Sequence, residues 1–371
     1  MRAIAILAVV FTHSLDFLLR LQDVPYIGKA ISFAVDHVHT LGAFGVELFF
    51  VLSGFLIGGI LIRTFVIADE LTFSAVKNFW IRRWFRTLPN YWLVLTITII
   101  VYKAMGLDCG YTAVLDYFFL QNVWHYFQPI FYVESWSLSV EEWFYLTLPL
   151  ALYAAARIAR PTDKQRFLLK VFMGYLLVFI VIRFINAFQP INGPDQEVSV
   201  KKVVLFRLDA VMYGVLFAYF NYYKSEVLYR IRKPLLAVSI GGVAFLYFLI
   251  SKRDFHFTGS PNAPVRFISD AFLYLFLPLF FSLCLPFANN LRSINSKALS
   301  RGIQHISKIS YSMYLINYAL VYVPFFYPMK IAMVWVIPVY LLYWTTVIVL
   351  SSLLYKYFEY PVMQLREKVS R

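Results

Sequence analysis

Three groups of residues in this 371-residue chain carry side chains that could do chemistry. Arg2 and His13 are eleven positions apart. Eleven helical steps return to within about 20° of the same face, with a rise of about 16 Å. One stripe of a helix would then carry a cation at one end and an imidazole well inside. An imidazole suits proton transfer near neutral pH, so His13 is a candidate general base. The alternative is a buried histidine that hydrogen-bonds a neighbouring helix. The second group is Arg82, Arg83 and Arg86, of which Arg83 and Arg86 share a helix face at i, i+3 spacing. Guanidinium pairs bind phosphate oxygens bidentately. Anchoring at lipid headgroups is the alternative. The third group runs Ser135-Trp136-Ser137-Leu138 and then Glu141-Glu142. Adjacent carboxylates lie 100° apart on a helix, so one must point into protein, and Glu141 neighbours Tyr145 at i, i+4. A favourable charge at a helix N-terminus is the competing account.

The elements that position these groups follow from composition. Hydrophobic residues make up 61% of the chain and charged ones 15%, with mean hydropathy +0.67. Soluble domains carry about 25% charged residues, so this is a membrane protein. Ten segments approach the roughly 20 apolar residues that cross a bilayer core: 2–19, 43–67, 90–106, 137–157, 167–188, 203–223, 235–251, 267–289, 303–327 and 331–358. The expected fold class is therefore an all-α polytopic bundle of about ten transmembrane helices. The net charge of +14 would suggest nucleic acid in a soluble protein, but here position explains it. Of 34 Lys and Arg, 23 fall in loops on one side and nine on the other. By the positive-inside rule both termini are cytoplasmic, and no nucleic-acid partner is needed.

The chain is expected to be one transmembrane domain over 1–371, with no appended soluble domain. The basic, aromatic stretch 68–89 (Phe79, Trp80, Trp84, Phe85) predicts an interfacial cytoplasmic helix. The stretch 107–136 has no Lys or Arg and predicts an outer apolar loop folded back onto the protein through aromatics such as Tyr111, Tyr117, Phe118, Phe119, Trp124, Tyr126 and Phe127. Ionisable residues inside spans are costly and are candidates for function: Asp16, Glu47, Arg183, Arg207 and Asp209 join those above. Arg207 and Asp209 are expected to pair with each other or with Glu141, and Gly54 and Gly58 to allow close helix packing. His37, His39, His125, His256 and His305 receive no role. Two cysteines, Cys109 and Cys284, make no disulfide framework. Zinc-type Cys/His spacings, a phosphate loop and a dinucleotide fingerprint are absent from the sequence, so no metal is expected.

These motifs resemble the acyltransferase-3 family of integral membrane acyltransferases. Five blocks carry the resemblance: Arg2 with His13; the G-V-E-L-F-F-V-L-S-G-F-L-I run around Glu47 and Ser53; Arg83, Arg86, Pro89, Tyr91 and Trp92; Ser135 to Tyr145; and Ile309 to Leu315. Phe358-Glu359-Tyr360-Pro361 is a weaker sixth. The resemblance implies acyl transfer, commonly of acetyl, from acyl-CoA to a hydroxyl of a sugar or cell-surface glycan, in the bacterial inner membrane. His13 would be the catalytic histidine, with Glu141 beside it. Arg2, Arg83 and Arg86 would hold the donor, and Trp136, Ser137 and Tyr145 would line the substrate site. Two departures stand out. Asn317 occupies a place where the family often has histidine. The polar lead before the first helix is missing, which raises a native start upstream. The rival functions are a transporter or flippase for a glycan or lipid-linked intermediate, and a membrane subunit with a decayed site. Neither explains the joint presence of Arg2, His13, Arg83, Arg86 and Glu141.

Overall fold

The computed structural model describes residues 1–21, 28, 40–67, 72–110, 113–125, 131–187, 201–251, 263–291 and 296–369. Several expectations fall elsewhere: Tyr111, Tyr126 and Phe127 of the outer loop, residues 68–71, His37, His39 and His256, and the side chain of Asp16 lie outside the described residues.

The described regular structure is helical. The first segment is two helices, α1 (Arg2–His13) and α2 (Leu15–Leu19), separated at Ser14. Then come α3 (Thr40–Ile67), α4 (Phe73–Ala104), the short α5 (Ala113–Tyr117), α6 (Ser135–Ala159) and α7 (Lys164–Ala187). A single 3-10 turn precedes α8 (Leu208–Tyr223). The chain continues through α9 (Ser225–Ser251), α10 (Ala263–Leu283) and α11 (Leu285–Asn289). Next, α12 (Lys297–Ile316) opens into a wide π-helical stretch, Asn317–Phe326. Finally α13 (Val336–Leu354) leads through a second π turn into α14 (Tyr360–Val369).

Six helical runs are long and apolar enough to cross a bilayer: Leu41–Val66, Lys164–Ala187, Ser225–Ile250, Ala271–Asn289, Lys297–Phe326 and Met333–Leu365. The protein is an all-helical integral membrane protein. The other expected spans are also helical but differ in form. Helix α1 has 12 residues and α8 has 16, short of the roughly 20 that cross the core. The interfacial stretch and the third span are one helix. The 32 residues of α4 rise about 48 Å against a core of about 30 Å. Its apolar half can therefore span while its basic half stands at the surface. Pro89 sits inside it, a position membrane helices tolerate because neighbours satisfy the freed carbonyl.

Glycine sets the closest helix crossing. A Cβ on Gly54 would lie 1.8 Å from the Val211 carbonyl oxygen, and one on Gly214 2.1 Å from that of Val51. The backbones of α3 and α8 thus meet directly, as small residues permit in membrane bundles. Beside this crossing sit two fully buried ion pairs, Arg207 with Glu47 and Arg183 with Asp209. The expected pairing of Arg207 with Asp209 or Glu141 is not formed. Arg207 lies just before the first turn of α8 with non-helical backbone, and its guanidinium is taken by Glu47 while Asp209 is taken by Arg183. The Arg207 guanidinium also lies 4.7 Å from the Tyr274 ring centroid.

The described part of the stretch 107–136 packs back onto the bundle. Tyr91 stacks on Phe119 at 4.6 Å, and the Trp92 and Trp143 indoles donate to the carbonyls of Tyr117 and Phe119. Asp116 accepts from Ser135 Oγ at 2.7 Å, and Gln121 donates to Ser135 and Ser139. Phe118 and Trp124 remain exposed.

Candidate active site

The arginines, distant in sequence, converge on one cavity of about 910 Å3, measured with its open mouth. Arg2 from α1, Ser53 from α3, Arg83 and Arg86 from α4, and Ser137, Glu141 and Tyr145 from α6 all line it. Sequence reasoning had not assigned to a site several further lining residues, among them Lys308, Tyr311 and Tyr314 from α12, and Glu359 at the end of the second π turn. Tyr311 and Tyr314 lie in the Ile309–Leu315 block and Glu359 in the Phe358–Pro361 block, while Lys308 lies in neither, and nothing in their spacing pointed to a shared cavity. Four cations against two carboxylates make the cavity a fit for a ligand carrying several phosphates.

Helix periodicity explains how α6 presents its residues. Ser137, Glu141 and Tyr145 recur every four positions and share one face. Tyr145 donates to Glu141 Oε2 at 2.8 Å and also meets the Ser53 hydroxyl. The Arg83 guanidinium lies 6.0 Å from the Tyr145 ring centroid and 5.9 Å from that of Phe79. The Trp80 indole donates to the Tyr145 carbonyl at 3.0 Å, docking α4 against α6. Glu359 is held separately, accepting from Ser312 at 2.6 Å and Asn90 at 3.2 Å. Trp136 does not line the cavity. It is buried edge-on against Phe50 at 5.9 Å, and its carbonyl accepts from Asn122.

His13 ends α1 and is not among the residues lining the cavity. Its Nδ1 lies 2.6 Å from Asn317 Oδ1, and its ring packs on Tyr318 at 4.7 Å. Glu141, which the resemblance set beside this ring, accepts from Tyr145, and Asn317 is the side chain bonded to Nδ1. The Asn317 amide is itself fixed, because Nδ2 donates to the carbonyls of Met313 at 2.9 Å and Tyr314 at 2.8 Å. Its Oδ1 can therefore only accept, so the neutral imidazole carries its proton on Nδ1 and keeps Nε2 as the basic nitrogen. Tyr314 connects the two regions. Its ring lines the cavity and its hydroxyl pairs with Ser137 at 2.5 Å, while its carbonyl holds the amide that holds His13.

Among the described residues, no cluster of His, Cys, Asp and Glu could hold a metal ion.

An all-helical membrane protein with a cation-rich cavity and a histidine oriented by a buried amide is the class that fold and site define. The chain belongs to the acyltransferase-3 family: the family model described as "Acyltransferase domain" matches residues 1–356. Among curated proteins it is similar to the O-acetyltransferase OatA of Staphylococcus aureus, 27% identical over 300 residues, covering 76% of this chain and 46% of that protein. It is also similar to the peptidoglycan O-acetyltransferase OatA of Listeria monocytogenes, 30% identical over 158 residues, covering 38% of this chain and 24% of that protein. The chain thus spans less than half the length of these relatives. No solved structure matches it.

Proposed function

We propose that this acyltransferase moves an acetyl group from cytoplasmic acetyl-CoA to a hydroxyl of a cell-surface glycan, with peptidoglycan as the leading acceptor class, and that His13 is the catalytic base. The observation that carries this reading is the convergence of Arg2, Arg83 and Arg86 with Glu141 and Tyr145 on one cavity. Lys308 adds a cation the sequence had not put there. The proposal includes ten membrane crossings with both termini cytoplasmic, a single transmembrane domain over 1–371, and residence in the bacterial inner membrane. The charge asymmetry of the loops supports that orientation.

The chain's own groups account for the transfer. The cations hold the donor's phosphates and fix its reach into the cavity. The acceptor oxygen bonds to the acyl carbon and the carbon–sulfur bond breaks. The hydroxyl proton passes to His13 Nε2 and then to the departing thiolate. Asn317 supports this by holding the tautomer that leaves Nε2 basic. Glu141 holds the Tyr145 hydroxyl and sits among the arginines, so it sets the charge balance of the donor site. Trp136 has a packing role under this reading, and Ser137 with Tyr145 lines the substrate path.

The test uses the protein in membranes, with labelled acetyl-CoA and peptidoglycan oligosaccharides. His13→Ala is expected to abolish transfer and release of free CoA without loss of folded protein. Arg83→Ala and Arg86→Ala are expected to weaken acetyl-CoA binding more than they lower yield. Full activity in the His13 variant would overturn the base assignment. Unchanged donor affinity in both arginine variants would make the cluster a lipid anchor.

A further inference from the structure

Glu134 has no part in the mechanism above, yet it is one of the most enclosed carboxyls in the protein, at 2% exposure. It is the residue just before α6. Its Oε1 accepts the backbone N–H of Ala319 at 2.9 Å. Its own carbonyl accepts from the Tyr314 hydroxyl at 3.2 Å. Both partners flank the point where α12 changes from α to π geometry at Asn317. Where an i→i+4 ladder gives way to i→i+5, two successive N–H groups fall to the same carbonyl and one of them needs an acceptor from elsewhere. Glu134 supplies an acceptor there. Two residues on this junction, Asn317 and Tyr318, meet His13, one by hydrogen bond and one by ring contact.

Resting on the proposed role of His13, we infer that Glu134 is a positioning residue for that histidine: its carboxyl clamps the π junction that presents Asn317 and Tyr318 to the imidazole. Two observations support the assignment. The clamp is direct, through a backbone N–H, so displacing Glu134 displaces the junction itself. The same segment is pinned just before the junction by Tyr132, whose hydroxyl donates to the Leu315 carbonyl at 2.6 Å. The surrounding titratable groups are Asp116 from α5, Tyr102 from α4, Tyr132 on the same loop, and Tyr314, Tyr318 and Tyr343 from α12, the π segment and α13. Burial pushes the Glu134 carboxyl up to about 7. Near neutral pH much of it is therefore the uncharged acid, whose carbonyl oxygen an amide can replace.

The experiment compares Glu134→Gln, Glu134→Asp and Glu134→Ala in the full chain, reconstituted in phosphatidylethanolamine–phosphatidylglycerol vesicles. Two readouts are taken: CoA release from acetyl-CoA with peptidoglycan oligosaccharides, and the rate at which diethyl pyrocarbonate modifies His13, followed by mass spectrometry of its peptide. Glu134→Ala is expected to lower kcat about 100-fold with donor KM within about twofold, as misplacement of a catalytic group does. It should also change the His13 modification rate. Glu134→Asp keeps the carboxyl but falls one methylene short, and should follow the alanine variant on both readouts. Glu134→Gln should keep kcat within about threefold and the wild-type modification rate, because its oxygen still accepts from Ala319. The inference is overturned if Glu134→Gln is as impaired as Glu134→Asp, or if His13 modification is the same in wild type and Glu134→Asp. The modification rates report on His13 without any acyl transfer. Should His13→Ala prove active, the base assignment would fall while the modification rates still judge Glu134.

Discussion

Asn317→Ala removes the group that fixes the His13 tautomer, and the size of its effect can be worked from the structure. The lost contact is the 2.6 Å bond between His13 Nδ1 and Asn317 Oδ1. One such bond contributes about 0.5–1.5 kcal/mol net, which is up to about tenfold in the population of the productive tautomer. The ring also loses its lateral stop, and a displacement of about 1 Å can cost about 100-fold in rate. The expected result is a fall in kcat of about 10- to 100-fold with the acetyl-CoA KM unchanged, because Asn317 does not line the donor cavity. Asn317→Asp should fall less, since a carboxylate still accepts the Nδ1 proton, although it loses the two donors to Met313 and Tyr314. The kinetic assay is CoA release in vesicles. The structural assay is the 15N shift of labelled histidine, which separates Nδ1–H from Nε2–H. If Asn317→Ala leaves kcat within about twofold of wild type, or leaves the His13 nitrogen shifts unmoved, the argument that this amide selects the tautomer is refuted.

Gly214→Ala should prevent the α3–α8 crossing, because its Cβ would fall 2.1 Å from the Val51 carbonyl oxygen; loss of a monodisperse peak on size exclusion in detergent is the measurement. Arg207→Ala leaves Glu47 buried without its partner and should destabilise by about 3–5 kcal/mol, read as a lower unfolding midpoint that Glu47→Gln in the same chain partly restores. Asp116 gives a pH signature. Burial pushes its carboxyl from 3.8 up to about 7, so the fold holds it neutral where the unfolded chain would ionise it. Its contribution to stability is fully present below about pH 4 and is lost as pH rises through about 7. The thermal midpoint should drop between pH 5 and 8, and drop less in Asp116→Asn, whose oxygen can still accept from Ser135; equal drops would remove Asp116 as the cause.

Local spacing made one part of the site legible. Ser137, Glu141 and Tyr145 on one face of α6, and Arg83 and Arg86 on one face of α4, follow from helical periodicity within single elements, and all five line the cavity, while Arg82 does not. The close approach of Gly54 was legible for the same reason, since small residues in an apolar helix have few other uses. Partners distant in the chain were not legible. His13 and Asn317 are 304 residues apart, and Glu47 and Arg207 160 apart, and no pattern within one segment encodes which helices touch. The sequence sets an interfacial helix over 68–89 apart from a span that starts at 90, yet Phe73–Ala104 is one helix. The backbone does not follow polarity there, since nothing in a change of solvent forces a helix to end.

The deeper reason the surroundings of His13 resisted sequence reasoning lies in backbone geometry. Placing Arg2 and His13 on one stripe assumes an unbroken α-helix that carries both into one chamber. Helix α1 does run unbroken to His13, but it stops there, at Ser14. Facing it, α12 gives way to π geometry at Asn317. Two departures from α-helical register therefore meet at one imidazole, and π segments concentrate where function displaces a regular ladder. Each departure needs outside hydrogen bonds to persist. The side chains that supply or depend on them, Asn317 and Glu134, are polar groups that a periodicity argument sorts by face and not by purpose. The cation cavity and the histidine are thus built by different rules: the first by regular helices displaying residues at fixed spacing, the second by irregular backbone held in place by buried polar contacts. Substitutions should separate along the same line, with the arginines acting on donor affinity and the junction residues on kcat.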